Sequence, residues 1–306
     1  MTELIGHTQV ATQFAEALQQ KRLHHAWLLH GLAGVGKYRL AGLLAQRYLC
    51  ERQTACGECH ACRLTAASTH PDLQQVGRLE GKRDISIEQV RDLLGFLALS
   101  GRDSERRVVI LDDADRMNAQ AANALLKGLE EPSPGSLLLI VCHDLMRLPA
   151  TIRSRCLLQH CGVLADDETR QVLQSLQIGK GYIDLAVALA EGCPGSVACM
   201  QDEAVARALL DWQALVSKIA EADVGRIEEW IRQHLVNVPH ALVAKLLIRS
   251  AGEARSSITA YDVLARIDAA LWACGRWPGE VVRHSLRAGP SLLATILNLR
   301  SALRPA

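Results

Sequence analysis

One segment near the N-terminus constrains the fold more than any other. An apolar run, residues 26–30, is followed by the glycine-rich octapeptide GLAGVGKY at 31–38 and then by a helical pattern from Arg39 to Leu49. Strand, glycine loop and helix in this order are typical of a phosphate-binding loop, because glycines let backbone N–H groups turn inward around phosphate oxygens and the helix N-terminus adds a favourable dipole. We interpret the segment as such a loop; a tight turn without a ligand is the alternative.

The glycine loop matches seven of the eight positions of the motif G-x-x-x-x-G-K-[ST]. Its candidate binding residues are Gly31, Gly34, Gly36 and Lys37, and the lysine is placed to reach the terminal phosphates. The mismatch is Tyr38, which stands where a Ser or Thr hydroxyl coordinates Mg²⁺. A phenol oxygen lies too far from the backbone to take that ligand position. The sequence therefore predicts a loop that holds phosphate and is poorly built to hydrolyse it.

A second motif expected in phosphate-loop proteins follows at residues 108–113. Four β-prone residues, 108–111, predict a buried strand, and Asp112 and Asp113 come directly after it. In such proteins the first aspartate lies near Mg²⁺ and the next residue is usually a glutamate that polarises the attacking water. Here that residue is Asp113, which is one methylene shorter. We interpret the pair as a degenerate second motif; a capped strand end with solvated carboxylates is the alternative.

Ten cysteines are present, and four of them lie within thirteen residues with the spacing C-x5-C-x2-C-x2-C. Two overlapping C-x-x-C steps and an earlier cysteine can surround one ion with a tetrahedron of thiolates, the ligand set of structural zinc sites. In a cytosolic chain this pattern favours zinc over disulfides, while a redox C-x-x-C or unrelated free thiols are the alternatives. The predicted Zn²⁺ ligands are Cys50, Cys56, Cys59 and Cys62.

The charge balance limits the partners of this chain. Its 306 residues carry 34 Lys and Arg against 33 Asp and Glu, so no global field attracts nucleic acid, and any DNA contact has to be local or shared with a partner. The N-terminus lacks the basic and then apolar pattern of a signal peptide, and the longest apolar run, 137–142, is far too short to span a bilayer. We therefore expect a cytoplasmic protein with no membrane partner.

Strand and helix patterns alternate to about residue 162, with a short candidate strand at 73–76 and a further buried strand at 137–142. Elements of these lengths predict a parallel sheet covered on both faces. The last predicted strand is 137–142, and from about Ala206 the pattern predicts a series of amphipathic helices. The expected fold class is therefore α/β followed by all-α. The tryptophans of the helical part are expected to anchor its core: Trp212, Trp230, Trp272 and Trp277.

Several of these motifs together resemble one protein family, the clamp-loader subunits of bacterial DNA polymerase III, which belong to the AAA+ class. The resemblance covers roughly residues 1–200. It rests on these segments: Leu23-His24-His25-Ala26, the glycine loop, the four clustered cysteines, Asp112-Asp113-Ala114-Asp115, residues 122–132 (ANALLKGLEEP) and Ser154-Arg155-Cys156.

The resemblance implies a phosphate-loop AAA+ domain (1–162) with an inserted zinc module (50–62), a small helical lid (163–206) and a helical collar for oligomerisation (207–306). It also implies a place in a five-membered ring with the gamma/tau motor subunits and the delta subunit. Such a ring opens the sliding clamp and places it on primer-template DNA, using ATP bound at the motor subunits. The implied cofactors are structural Zn²⁺ and, at this subunit, ATP and Mg²⁺ that are not hydrolysed.

The chain departs from the motor subunits of that family at the nucleotide site. Tyr38 replaces the hydroxyl residue and Asp113 replaces the glutamate. Cys142 and His143 stand where the motors carry hydroxyl residues that sense the phosphate, and Gly195 falls where they carry a second sensing arginine. The resemblance therefore implies a member that acts as a rigid stator and not as a motor.

Arg155 is the candidate catalytic residue. The resemblance implies that it acts as an arginine finger in trans, presented to the ATP site of a neighbouring subunit, where a guanidinium stabilises charge on the transferring phosphoryl group. From the residues alone, an ion pair with a local carboxylate is the alternative. Two other functions stay open for the chain: an active AAA+ motor of the gamma/tau type, and a zinc-bearing DNA-binding module, against which the near-zero net charge speaks.

Overall fold

The computed structural model describes residues 4–99, 106–217, 219, 221–255 and 261–303. The chain divides into two compact units. The first, called the sheet unit below, comprises Met1–Gln171 and Gly192–Ser196; the second, called the helical unit, comprises Val172–Glu191 and Val197–Ala306. Among the described residues, no helix is both long enough and apolar enough to cross a membrane.

The sheet unit is built on five parallel strands in the order β2-β3-β4-β1-β5. The connection that leaves β1 runs to β2 at the far edge, whereas the connection that leaves the neighbouring β4 passes over β1 to β5. The carboxyl ends of strands at such a switch point form the usual ligand crevice of open α/β sheets. The strands are β1 (Ala26–His30), β2 (Leu73–Val76), β3 (Arg107–Leu111), β4 (Ser136–Cys142) and β5 (Leu157–His160).

Helices cover both faces of this sheet. The side chains of β1 alternate between the faces: Trp27 and Leu29 pack with α1 and α2, whereas Ala26 and Leu28 pack with α4 and α5. Burial on both faces explains why β1, β3 and β4 are almost continuously apolar. The first seven helices along the chain, the last of which crosses the boundary between the two units, are α1 (Thr8–Gln19), α2 (Lys37–Leu49), α3 (His60–Ala66), α4 (Ile87–Ala98), α5 (Ala119–Glu130), α6 (Ala150–Arg153) and α7 (Asp166–Ser175).

The helical unit packs around buried tryptophans that satisfy their indole N–H groups. Trp212 donates to the Val243 carbonyl and Trp230 to the Ala208 carbonyl. The expectation for Trp272 was wrong: it is 68% exposed and lies under the guanidinium of Arg276, on the outer face of its helix. The remaining helices are α8 (Ile183–Ala190), α9 (Glu203–Val216), α10 (Val224–His234), α11 (His240–Arg255), α12 (Tyr261–His284) and α13 (Ala288–Leu303).

The predicted fold class is confirmed, and four of the five strands lie where the sequence predicts strands. The strand that the sequence does not predict is β5. It has only four residues, it lies at the edge of the sheet, and Leu157, Leu158 and His160 are exposed, so it lacks the apolar pattern of a buried strand. Helix α3, inside the cysteine cluster, was not predicted either.

Candidate functional site

The glycine loop joins β1 to α2 at the carboxyl edge of the sheet. Gly31, Gly34 and Gly36 have φ values of 145°, 84° and 101°, a region that glycine adopts without strain. Two of them are also required by close packing, because a Cβ on Gly31 would clash with the Cys161 carbonyl oxygen and one on Gly34 would lie 2.8 Å from the Ser196 backbone nitrogen. The predicted strand–loop–helix geometry is present.

Lys37, the first residue of α2, is turned into its own loop. Its side chain is buried, and Nζ donates hydrogen bonds of 2.7 Å to the Gly31 carbonyl and 2.6 Å to the Leu32 carbonyl. Burial lowers the pKa of this ammonium group. Both hydrogen bonds of the lysine therefore go to the loop from which it extends.

A second backbone segment, Gly192–Ser196, packs directly against the glycine loop within the sheet unit. The Gly195 N–H donates to the Gly34 carbonyl at 2.9 Å, and a Cβ on Gly195 would lie 2.9 Å from the Gly34 Cα. At the place where the resemblance puts a sensing arginine, the chain presents a glycine whose backbone touches the loop. No guanidinium can extend from that position.

The hydroxyl of Tyr38 is engaged by a residue of the sheet. It donates a 2.7 Å hydrogen bond to Oε1 of Gln75, which lies on β2. The residue is 40% exposed, and burial, with a smaller contribution from Asp112, raises the pKa of the phenol. The phenol therefore stays protonated and acts as a hydrogen-bond donor to the sheet.

The carboxylates after β3 are held by neighbouring side chains. Asp113 accepts a 2.7 Å hydrogen bond from Nε of Arg78 on one oxygen, and its other oxygen lies 2.9 Å from Nε2 of His143. Burial raises the pKa of Asp112, whose Oδ1 accepts from the Asp113 N–H at 2.9 Å. The carboxylate in the place of the motor's glutamate thus has both oxygens occupied within the chain.

His143 follows β4 and reaches the same group of acids. Its backbone N–H donates to Asp115 Oδ1 at 2.8 Å, and its ring joins Asp112 and Asp113 in a set whose possible ligand atoms all lie within 4.8 Å of one another. Burial also raises the pKa of the preceding Cys142 thiol to about 12, so this side chain stays neutral. Neither residue supplies the hydroxyl that a motor subunit would have here.

Arg155 lies in the turn between α6 and β5, beside the C-terminal end of α5. Its Nη2 is 2.7 Å from Oε1 of Glu130, and its Nη1 donates to the Thr151 carbonyl at 3.0 Å. The neighbouring Arg153 takes a different course and contacts the Met146 sulfur at 3.7 Å. A local ion pair for Arg155, the alternative left open by the sequence, is therefore present, and 37% of the arginine side chain is still exposed.

The four clustered cysteines converge between the end of α2 and the start of α3. Sγ of Cys50 lies 3.7 Å from that of Cys56 and 3.9 Å from that of Cys59, and Cys56 lies 4.0 Å from Cys62. A disulfide would need about 2.0 Å, whereas four sulfurs bound at about 2.3 Å to one zinc ion lie about 3.8 Å apart. The Cys59 and Cys62 N–H groups also point at neighbouring sulfurs. This cluster could hold a metal ion.

Three contributors to these sites were not predicted from the sequence: Gln75, Arg78 and Glu130. Gln75 and Arg78 belong to no motif, and nothing in the local pattern marks them. Glu130 lies in one of the segments that carry the family resemblance, but no role was assigned to it. Each acts through a contact between residues distant in sequence.

The fold and the site together define a class. A parallel sheet with a glycine loop after β1 and an acidic motif after β3, followed by a helical unit, is a phosphate-loop domain of the AAA+ type with an α-helical remainder. A crystal structure of a DNA polymerase III gamma subunit-related protein from Thermotoga maritima has this fold; it matches with a TM-score of 0.53 and 18% identity, over 95% of this chain and 99% of that one.

A sequence model of the family described as "DNA polymerase III, delta subunit" matches residues 6–162, and the chain belongs to this family. It is 49% identical over 140 residues to DNA polymerase III subunit delta' of Pseudomonas aeruginosa, covering 45% of this chain and 43% of that protein. It is 39% identical over 185 residues to subunit delta' of Yersinia pestis, covering 56% and 54%. It is 31% identical over 214 residues to subunit tau of Escherichia coli, and this match covers 67% of this chain and 33% of that protein. The chain spans about half the length of the delta' relatives it matches.

Proposed function

We propose that this chain is a delta'-type stator of a DNA polymerase III clamp loader, a subunit that does not hydrolyse ATP itself. The observation that carries the proposal is the state of its nucleotide site. The side chains at two positions that hydrolysis depends on are engaged by the chain's own residues: Tyr38, in place of the motif hydroxyl, by Gln75, and Asp113, in place of the glutamate, by Arg78 and His143. Relatives with 39–49% identity carry the name delta'.

Phosphoryl transfer depends on positioning and charge. A phosphate-loop ATPase needs a hydroxyl and an aspartate at Mg²⁺ and a further group that orients the attacking water. Here the hydroxyl is replaced by a phenol bonded to β2, and the water-orienting carboxylate would first have to leave a guanidinium and an imidazole. ATP with Mg²⁺ is therefore at most a bound ligand of this subunit.

The partners we propose follow from the family. They are the gamma/tau motor subunits and the delta subunit in a five-membered ring, with the sliding clamp and primer-template DNA reached through the complex. We propose that residues 163–206 serve as the lid and 207–306 as the collar through which the ring assembles, and that the complex works in the cytoplasm. Arg155 is the group presented to the neighbouring ATP site, since 37% of its side chain remains exposed.

Zinc is the metal we propose for the cysteine cluster. Four thiolates, closed around one position with sulfur separations of 3.7–4.0 Å, suit tetrahedral Zn²⁺ and leave no ligand position open. The ion would tie the end of α2 to the start of α3. Its role would be structural, because a filled shell has no place for a substrate.

An active motor of the gamma/tau type is the second candidate, favoured by the 31% identity with subunit tau and by the intact Lys37. Such a motor would hydrolyse ATP as an isolated chain or when primed DNA is added. The proposed stator would not hydrolyse ATP under either condition.

The test of the stator function uses a reconstituted ring containing Arg155→Ala, with Arg153→Ala as the matched control. An arginine finger in trans contributes about 10³–10⁵ to the rate at its site. Because the other motor sites continue, total ATP turnover should fall partially, and clamp loading, which needs coordinated sites, should fall further. Arg153→Ala should match the wild type. If the Arg155 variant assembles and equals the wild type in both assays, the proposed function is wrong.

A further inference from the structure

The carboxylate of Glu130 and the guanidinium of Arg155 form a 2.7 Å ion pair between two different elements of the sheet unit. Glu130 is the last residue of α5, and Arg155 follows α6. The second guanidinium nitrogen is tied to the Thr151 carbonyl at 3.0 Å. The head of the arginine is therefore fixed at two points, one on its own segment and one on α5.

Glu130 is an unfavourable residue for its helix. The C-terminal end of an α-helix carries a partial negative charge, so helices are stabilised by basic residues and not by carboxylates in the last turn. Helix α5 nevertheless ends with Glu130, followed by Glu131 at its C-cap. The ion pair with Arg155 compensates the first of these two acids. Glu130 therefore stabilises the arginine more than it stabilises helix α5.

A guanidinium presents several N–H donors in a rigid planar fork. Glu130 and Thr151 each take one donor from the two terminal nitrogens, which leaves the other N–H groups for a partner. A long side chain anchored in this way loses less conformational freedom when it meets a ligand than a free one would. Anchoring therefore prepares the arginine for an anion from outside the chain.

We propose that Glu130 is a positioning residue for Arg155, holding the guanidinium in the orientation in which it meets the terminal phosphate of ATP on the neighbouring subunit. This inference rests on the proposed function. Glu130 itself does not touch the phosphate. It does not act as a latch that withholds the arginine, because an exposed ion pair shifts an equilibrium by about fivefold at most, whereas the finger contributes about 10³–10⁵ in rate.

The experiment is a double-mutant cycle in the reconstituted ring, with Glu130→Ala, Arg155→Ala and the two combined. Glu131→Ala is the matched control, since it removes the adjacent carboxylate on the same helix end. Clamp-loading rate at saturating ATP and the KM for ATP are measured for each ring. Removing Glu130 relieves an unfavourable charge at the helix end, so we expect the variant to fold, which thermal unfolding checks.

Glu130→Ala should slow clamp loading by about two- to fivefold with an unchanged KM, the size expected for an exposed pair. Glu130→Gln, which keeps an acceptor oxygen, should recover part of that loss, and Glu131→Ala should match the wild type. In the Arg155→Ala background, Glu130→Ala should add nothing, because the residue acts only through the arginine.

Faster loading by Glu130→Ala would establish a latch and overturn the inference, as would additive losses in the double variant or an equal loss in Glu131→Ala. If Arg155→Ala slows clamp loading and Glu130→Ala does not, the positioning role of Glu130 is wrong but the proposed function stands. If Arg155→Ala loads clamps as fast as the wild type, both the proposed function and the positioning role are wrong.

Discussion

The phenol of Tyr38 donates a 2.7 Å hydrogen bond to Gln75, a residue 37 positions further along the chain. This contact joins the first turn of α2 to β2. It engages Tyr38, the residue at the motif position that coordinates Mg²⁺ in other phosphate loops. Asp113 and Arg78 make a comparable contact across 35 positions. Two side chains of the candidate nucleotide site, Tyr38 and Asp113, are therefore engaged by other residues of the chain.

The first prediction is that Tyr38→Thr, which restores the motif hydroxyl, leaves ATP turnover of the isolated chain at the level of a buffer blank. The reason is that Asp113 remains paired with Arg78 and His143 and cannot orient a water molecule. Phosphate release with Mg²⁺ and ATP measures this, and Tyr38→Phe serves as the control that removes the bond to Gln75 without restoring a ligand. Turnover above the blank in Tyr38→Thr would contradict the account of Asp113.

The second prediction concerns Lys37. Lys37→Met keeps the length of the side chain but removes the donors to the Gly31 and Leu32 carbonyls, and we expect the unfolding free energy to fall by about 1–3 kcal/mol. Urea unfolding measures the change. Clamp loading by a reconstituted ring should stay nearly unaltered with Lys37→Met or Lys37→Ala, because the proposed stator hydrolyses no ATP at this site. An assembled ring that no longer loads clamps would show that the site works.

The third prediction concerns zinc. Freshly purified protein should contain one zinc per chain, and Cys59→Ser should lower both the zinc content and the melting temperature, since structural zinc contributes on the order of 10 kcal/mol to the folding of a zinc module. Cys199→Ser, at a half-buried thiol of the helical unit, is the control and should keep the metal. Elemental analysis checks all three proteins. A wild-type protein without stoichiometric zinc would refute the assignment.

The fourth prediction concerns acid stability. Burial, and then the positive charges of His160 and Lys37, lower the pKa of His30 below its ordinary value of 6.5. The unfolded chain then binds a proton more readily than the folded one between the two pKa values, so the unfolding free energy falls as the pH drops through 6.5. His30→Gln should lose less stability between pH 7 and pH 5 than the wild type. Urea unfolding at both pH values measures the difference, and loss of zinc in acid affects both proteins alike. Equal losses would exclude His30 as a contributor.

Local patterns were sufficient for much of the fold. The buried strands β1, β3 and β4 are apolar on both faces, and their runs in the sequence predict them closely. Strand β5 escaped prediction because it is a short edge strand with exposed side chains, held in place by pairing with β1. The exposure of Trp272 was not predicted for a related reason, because composition alone does not say which face of a helix is covered.

The sequence by itself determined the features that depend on neighbours along the chain. The glycine loop after a strand, the carboxylates after β3 and the cysteine spacing are local patterns, and each indicates its geometry without knowledge of distant residues. This is why the phosphate-loop fold and the candidate metal cluster could be predicted, and why a departure such as Tyr38 could be recognised as a defect.

Only the tertiary structure decided what the candidate groups contact. The order β2-β3-β4-β1-β5 brings β2 beside β3 and so places Gln75 and Arg78 within reach of the nucleotide site, and the packing of α5 against α6 sets Glu130 beside Arg155. Hydrogen bonds and ion pairs act over about 3 Å, so their partners depend on which segments the folded sheet and helices bring together. The spacing of residues along the chain contains no such information.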